Sequence, residues 1–334
     1  MKVVRSFDAL PSDLRGAVFA VGNFDGLHHG HRAVIDQAKE IALAAGTPCG
    51  IITFEPHPRH YFSPDDPPFR LTPFSRKQTI LKTWGVDCMV AVPFDAVMAA
   101  TTAELFVKDG LVAGLGVSHL VVGHDFAFGH KRRGDVAFLK GQANVFGFGV
   151  TIVSAHLAEN GALYSSRAIR ELLQSGRPGD AAESLGRWWA VDGVVKHGDA
   201  RGRDLGFPTA NLELGDHLQP SLGIYAVRAG VVEAGGTTWH DAAANLGVRP
   251  TFDGRTVLLE VHLLDFNGDL YGRTMDISFV EYLRPEERFA DVESLIVQMR
   301  ADCARAREIL AHPDCAPTRF GAGTPLSDRE EPLR

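Results

Sequence analysis

The chain of 334 residues has room for two domains, and 45% apolar with 22% charged residues is the composition of a packed globular protein, not a disordered one. A net charge of −7 argues against a nucleic-acid-binding surface as the main function, and no run approaches the ~18 apolar residues that a bilayer span requires. Cys49, Cys88, Cys303 and Cys315 are scattered with neither C-x-x-C nor metal spacing, a usage that suits free thiols in a reducing cytoplasm.

Residues 1–16 carry Asp8 and Asp13 and no apolar core of the roughly 7–15 residues that marks a signal peptide. From residue 18 to about 186, short apolar runs alternate with helical periodicity. Strands are predicted at 18–22, 50–54, 88–92, 119–123 and 149–153. Helices are predicted between them at 31–45, 76–84, 102–111 and 135–146, with another at 166–173. Continuous apolar strands separated by helices imply a doubly wound parallel α/β sheet covered on both faces. Ligands of such sheets bind at the carboxyl ends of the strands.

The first strand-to-helix junction reads Gly22-Asn23-Phe24-Asp25-Gly26-Leu27-His28-His29-Gly30-His31. Helix N–H groups and the positive end of the helix dipole converge at such a junction, which suits it to anions, and imidazoles there can donate to phosphate oxygens. Two other readings stay open: ligation of a metal by the histidines, and a turn whose histidines are merely solvated. Three later segments also fall at strand ends. They are Thr53-Phe54-Glu55-Pro56-His57-Pro58-Arg59, then Gly123-His124-Asp125-Phe126-Ala127-Phe128-Gly129 with Lys131, Arg132 and Arg133 behind it, then Ser165-Ser166-Arg167-Ala168-Ile169-Arg170.

After Ser175-Gly176-Arg177-Pro178-Gly179-Asp180 the pattern changes. Runs rich in Val, Ile and aromatic residues at 190–195, 223–229, 239–244, 257–264 and 274–282 are separated by glycine-rich turns. They predict a mainly-β antiparallel barrel or sandwich, followed by one helix at 292–310. The end of the chain, rich in Pro, Gly and charged residues, reads as a disordered tail. The expected division is therefore a domain at 1–186, a domain at 187–312 and a tail at 313–334.

The second half carries Gly198-Asp199-Ala200-Arg201-Gly202-Arg203-Asp204-Leu205-Gly206-Phe207-Pro208-Thr209-Ala210-Asn211-Leu212. Glycine-rich backbone can approach phosphates closely, but this is no P-loop, since G-x-x-x-x-G-K-[ST] is absent. Taken alone the segment also reads as an ordinary turn. Its end is more informative, because the Thr209 hydroxyl and Asn211 amide offer neutral oxygens to a magnesium nucleotide. Asn245-Leu246-Gly247-Val248-Arg249-Pro250-Thr251-Phe252 and Leu259-Glu260-Val261-His262-Leu263-Leu264-Asp265-Phe266 follow. Glu260 shares a strand face with Leu258 and His262, where a carboxylate needs a chemical role, a salt bridge or a solvent edge.

His28-His29-Gly30-His31 resembles the H-x-G-H motif of nucleotidyltransferases. In the longer form G-N-F-D-G-x-H-x-G-H, together with T-F-x-P-H-P, V-G-x-D-F-x-F-G and the serine pair, the first half resembles the adenylyltransferase half of bifunctional riboflavin kinase/FAD synthetases. G-R-x-L-G-F-P-T-A-N, N-L-G-V-R-P-T-F and E-V-H-L-L-D-F resemble the riboflavin kinase module. The resemblance implies a nucleotidyltransferase-like α/β domain followed by a riboflavin kinase-like barrel with a C-terminal helix. The implied chemistry is phosphorylation of riboflavin to FMN by ATP in the second domain. Transfer of AMP from ATP to FMN in the first then gives FAD and pyrophosphate. Mg²⁺ would accompany ATP, with no tightly bound transition metal. The partners implied are riboflavin, FMN, FAD and ATP, without nucleic acid or membrane and in the cytoplasm; a homo-oligomer stays open.

By the same resemblance, His28 and His31 would contact the ATP phosphates, in a turn shaped by Gly22, Asn23, Phe24, Asp25, Gly26 and Gly30. Ser165, Ser166 and Arg170 would hold the pyrophosphate portion, with Pro56, His57, Asp125 and Phe126 towards the flavin. In the kinase half Glu260 would be the general base and Thr209 and Asn211 would hold Mg²⁺. Gly198, Gly202, Gly206 and Pro208 would cradle phosphates, and Arg284 and Phe289 would close the flavin site. Three departures stand out: Arg167 where the family commonly has threonine, Ala127 where a basic residue is frequent, and Trp188-Trp189 where Pro-Tyr is more usual. Arg167 would either add a phosphate contact or face solvent, and the tryptophans would pack at the domain junction.

Overall fold

A computed structural model describes residues 1–156, 161, 163–198, 201–251 and 254–316. Asp199, Ala200, Phe252 and the tail beyond 316 lie outside the described residues. The chain forms two compact units. The first takes Met1–Asp66 and Phe74–Ser165, and the second takes Pro67–Pro73 and the chain from Ser166 on.

The first unit contains β1 (Lys2–Val4), β2 (Val18–Val21), α1 (His29–Ala45), β3 (Cys49–Phe54), α2 (Pro58–Phe62), α3 (Phe74–Thr83) and β4 (Cys88–Val92). It continues with α4 (Ala96–Ala100), α5 (Ala103–Leu105), a π-helix (Phe106–Leu115), β5 (His119–Gly123), α6 (Val136–Phe146) and β6 (Gly149–Val153). The strands form one parallel sheet in the order β1-β4-β3-β2-β5-β6, with Val18 of β2 opposite both Cys49 and His119. The predicted doubly wound sheet is therefore present. From β2 the chain steps outward through β3 and β4 on one side, then returns to lay β5 and β6 on the other. The strand order thus reverses at β2, and the crevice outside its carboxyl end is where such a fold binds ligands.

Two cores cover the two faces of this sheet. Ile35, Ala38 and Ala42 of α1 pack with Ile80 and Leu81 of α3 on one face, and Phe106, Leu111, Leu115 and Leu139 pack on the other. The helix predicted at 102–111 continues as the π-helix to Leu115, because buried Leu111 and Leu115 carry the apolar stripe onward until Gly116, at φ 61, stops it. The short edge strand β1 was not predicted; its three residues are mostly exposed and lack a strand pattern.

The second unit contains α7 (Ser166–Gln174), α8 (Pro178–Leu185), β7 (Trp189–Val194), α9 (Arg201–Asp204), β8 (Ala210–Glu213), β9 (Gly223–Glu233), β10 (Gly236–Thr251), β11 (Gly254–Leu263), β12 (Thr274–Arg284) and α10 (Val292–Leu310). Its strands form an antiparallel sheet in the order β7-β12-β9-β10-β11-β8. The sheet curls until Lys196, just past β7, bridges Asn211 of the last strand, as expected of the predicted barrel. Val191, Leu212, Val227, Ala244, Leu259, Val261 and Ile277 fill the interior. Ala306 and Leu310 of α10 pack outside, against Ala226, Ala243, Val280 and Trp188.

Both tryptophans pack in cores of this unit. Trp189 is 2% exposed and its Nε1 donates to the Leu71 carbonyl at 3.0 Å, while Trp188 Nε1 donates to the Ala316 carbonyl at 3.2 Å. The segment Pro67–Pro73 is held to the same unit by Arg170 Nε on the Phe69 carbonyl (2.9 Å) and by the Leu218 amide on the Arg70 carbonyl (2.8 Å). A bidentate ion pair fixes α10, with Arg284 Nε and Nη2 on the Asp302 carboxylate at 2.9 and 2.7 Å.

Candidate active sites

In the first unit, β2 delivers residues 22–28 to the N-terminus of α1. Phe24 and Leu27 adopt left-handed backbone at φ 49 and 46, a costly conformation for bulky residues, and both side chains are fully buried. Their insertion into the core anchors the turn and balances the strain. His28 is the N-cap of α1: its Nδ1 accepts from the His31 amide at 3.4 Å. That use of Nδ1 leaves the proton of the neutral ring on Nε2, so the cap that holds the helix end also offers a donor. The His28 and His31 rings stack with centroids 3.8 Å apart, and the Phe24 ring meets His31 edge-on at 5.3 Å. Asp25 is 3% exposed inside the turn.

Tyr164 brings the end of this unit to the same place. Its ring lies 5.2 Å from that of His29, and a Cβ on Gly30 would fall 3.5 Å from the Tyr164 carbonyl. Ser165 therefore follows directly from a residue packed on the α1 N-terminus. Ser166 and Arg170 begin α7 in the second unit, where the Arg170 guanidinium lies over the Phe69 ring at 5.5 Å. Arg167 is exposed and pairs with Glu171 at 2.9 Å one turn on, the solvent-facing alternative.

Lys77 of α3 is a residue that the sequence reading missed. It is 2% exposed, and its Nζ donates to the Asn23 carbonyl at 2.7 Å and to Thr53 Oγ1 at 3.5 Å. Thr53 Oγ1 donates to the same carbonyl at 3.1 Å. A buried ammonium thus ties the end of β3 and the phosphate-type turn together. The available signal was that Lys77 falls on the face of α3 that also carries Ile80 and Leu81.

Beyond β3, β4 and β5 the loops gather aromatic rings. Phe94 meets Phe54, Tyr61 and Phe62 at 5.8, 5.6 and 5.7 Å, and Phe126 stacks on Phe128 at 5.2 Å. Pro56 is exposed and His57 caps α2 by accepting from the Arg59 amide at 3.1 Å, while Asp125 is exposed after β5.

In the second unit, sheet register gathers polar residues in one row. Glu260 of β11 lies opposite Asn245 of β10 on one side and Asn211 of β8 on the other. Directly opposed residues share a face, and this face is the one away from buried Leu259 and Val261. Asn245 Nδ2 donates to Glu260 Oε2 at 3.4 Å, and Asn211 is 6% exposed. The Asn245 Oδ1 is buried without a hydrogen-bond partner among the described residues.

Gly198 lies tight against Asn211 at the end of this row. A Cβ on Gly198 would fall 2.4 Å from Asn211 Nδ2, and one on Gly202 would fall 2.4 Å from the Phe207 carbonyl oxygen. Only glycine permits backbone to lie that close. A cleft of about 320 Å³ opens beside it, lined by Arg203, Pro208, Thr209, Val261, Phe266 and Tyr271 among others. Thr209 joins the two features, lining the cleft two residues before Asn211. Arg284 and Phe289 lie together, the guanidinium 5.8 Å over the ring, with the guanidinium also engaged by Asp302.

Comparison with known proteins follows this division. Residues 10–168 match the FAD synthetase family and residues 185–310 the riboflavin kinase family. A bifunctional riboflavin kinase/FMN adenylyltransferase of Pseudomonas fluorescens is 40% identical over 314 residues, covering 93% of this chain and 98% of that protein. The chain belongs to the bifunctional riboflavin kinase/FMN adenylyltransferase family. Members from Escherichia coli K12 and Bacillus subtilis are 40% and 36% identical, over 92% and 86% of this chain and 97% and 90% of theirs. A crystal structure from Streptococcus pneumoniae, described as a macrolide-efflux protein, superposes with a TM-score of 0.81 at 29% identity, covering 91% of this chain and 98% of that one. Among the described residues no helix is long and apolar enough to cross a membrane. The family's matched segments stand in the order that the motifs implied.

Proposed function

We propose that the two activities of this family are carried out by separate sites, with the kinase in the barrel and the adenylyltransferase centred on the β2–α1 turn. Functionally the chain then divides into residues 1–186 and 187–312. The observation that carries the kinase reading is the row Asn211–Glu260–Asn245, with Thr209 of the cleft lining two residues before Asn211. The 5′-hydroxyl oxygen of riboflavin attacks the γ-phosphorus of ATP, the bond to ADP breaks, and the hydroxyl proton passes to the Glu260 carboxylate. Asn245 orients that carboxylate by donating to one of its oxygens. Gly198, Gly202, Gly206 and Pro208 border the phosphates, and Arg284 with Phe289 closes over the flavin.

Magnesium enters with ATP as part of the substrate. The protein donors offered to it are neutral, the Thr209 hydroxyl and the Asn211 amide, so the phosphates must supply the balancing charge. Hard, oxygen-rich and largely substrate-borne coordination of that kind suits Mg²⁺.

In the first unit a phosphate oxygen of FMN attacks the α-phosphorus of ATP and pyrophosphate leaves. The turn holding Gly22, Asn23, Phe24, Asp25, Gly26 and Gly30 positions the nucleotide phosphates, and the His28 and His31 side chains donate to them. Ser165, which follows Tyr164 at the α1 N-terminus, binds the pyrophosphate portion. The flavin lies against the loops of Pro56, His57, Asp125 and Phe126, where the aromatic rings gather. Riboflavin, ATP, FMN and FAD are small cytoplasmic molecules, and the cytoplasm is the assigned location. A product time course with riboflavin, ATP and Mg²⁺ tests the reading. FMN should appear first and FAD after a lag; folded protein that yields neither would overturn it.

A further inference from the structure

The polar row of the barrel extends one residue further than catalysis by Glu260 requires. His262 lies on the same face of β11, two residues on, and its Nδ1 is 2.8 Å from the Pro208 carbonyl oxygen. A carbonyl only accepts, so Nδ1 carries the proton, in the neutral ring and the imidazolium alike. The Phe207 ring packs edge-on against the imidazole at 5.4 Å. The β8–β11 ladder stops at Val261 opposite Ala210, and continuing it would set His262 opposite Thr209. Proline has no N–H to donate, so the backbone ladder is weak where Pro208 and Thr209 approach β11. The His262 side chain supplies a donor to the Pro208 carbonyl just beyond the end of that ladder.

We propose that His262 is a positioning residue of the kinase site: it pins the Pro208-Thr209 peptide so that the Thr209 hydroxyl and Asn211 amide face magnesium ATP together. This rests on the kinase reading of the Glu260 row. The role needs a donor at the Nδ1 position and needs no titration, and asparagine places an amide N–H close to that point. His262→Leu should therefore raise KM for MgATP by roughly 2- to 13-fold, the worth of one neutral hydrogen bond. KM for riboflavin and the rate of FAD formation from FMN should hold, and His262→Asn should restore KM for MgATP.

An unchanged KM for MgATP in His262→Leu would overturn the inference. So would an equal rise in KM for riboflavin, or failure of His262→Asn to recover, since each points to general packing. Glu260→Gln measured alongside separates the two levels. An inactive Glu260→Gln with an unaltered His262→Leu removes the positioning role alone, whereas an active Glu260→Gln removes the assignment of the row itself.

Discussion

Replacing Lys77 by methionine keeps the aliphatic stem of a side chain that is 2% exposed and removes only its ammonium. The wild-type Nζ donates to the Asn23 carbonyl at 2.7 Å, inside the turn that leads to His28. A hydrogen bond from a charged donor is worth about 1.5–3 kcal/mol, and its loss leaves a carbonyl at the base of the turn held, among the described residues, by Thr53 alone. If that energy holds the turn in its reactive geometry, FAD formation from FMN slows by roughly 10- to 150-fold. The barrel shares no part of this contact, so phosphorylation of riboflavin proceeds at the wild-type rate. Steady-state rates of the two half-reactions, measured separately on one preparation, give both numbers. A Lys77→Met protein that makes FAD normally, or that loses both reactions equally, would refute the reasoning.

Other outcomes follow from single contacts. Gly202→Ala places a Cβ 2.4 Å from the Phe207 carbonyl, so the loop must shift; KM for MgATP in the kinase reaction should rise severalfold while FAD formation from FMN is untouched. Asp302→Asn removes the charge that Arg284 grips at 2.7 and 2.9 Å in a largely buried pair, and should lower unfolding stability of the barrel by about 3 kcal/mol in denaturant titration; a loss under ~1 kcal/mol would show the pair to be a surface one in effect. Burial pushes the Cys49 and Cys88 thiols from an ordinary 9.0 up to about 12, so a thiol-alkylating reagent at pH 8 should leave both unmodified until denaturant is added. The same shift means that unfolded thiols ionise before folded ones, so their contribution to stability is intact below about pH 9 and is lost as pH climbs towards 12.

Much of the parallel sheet was legible because its strands are buried on both faces and read as unbroken apolar runs. β1 was not, since Lys2–Val4 is a mostly exposed edge piece without alternation. α8 was not predicted, because Pro178 and Gly179 interrupt the apolar pattern, although proline at the first helical turn starts a helix readily. β8 is four residues long and includes Asn211, so neither length nor apolar content marked it, yet its register is what sets Asn211 beside Glu260. Strand alternation put His262 on the Glu260 face, but the bond to Pro208 depends on the neighbouring strand. The capture of Pro67–Pro73 by the second unit has no local cause: it depends on Arg170, Trp189 and Leu218, each more than a hundred residues away in the chain.

The most direct test of the two-site account is to measure both half-reactions in Glu260→Ala and His28→Ala. The account predicts that Glu260→Ala loses riboflavin phosphorylation and still converts FMN to FAD, and that His28→Ala does the reverse. Folded protein in which either change silences both reactions would contradict it.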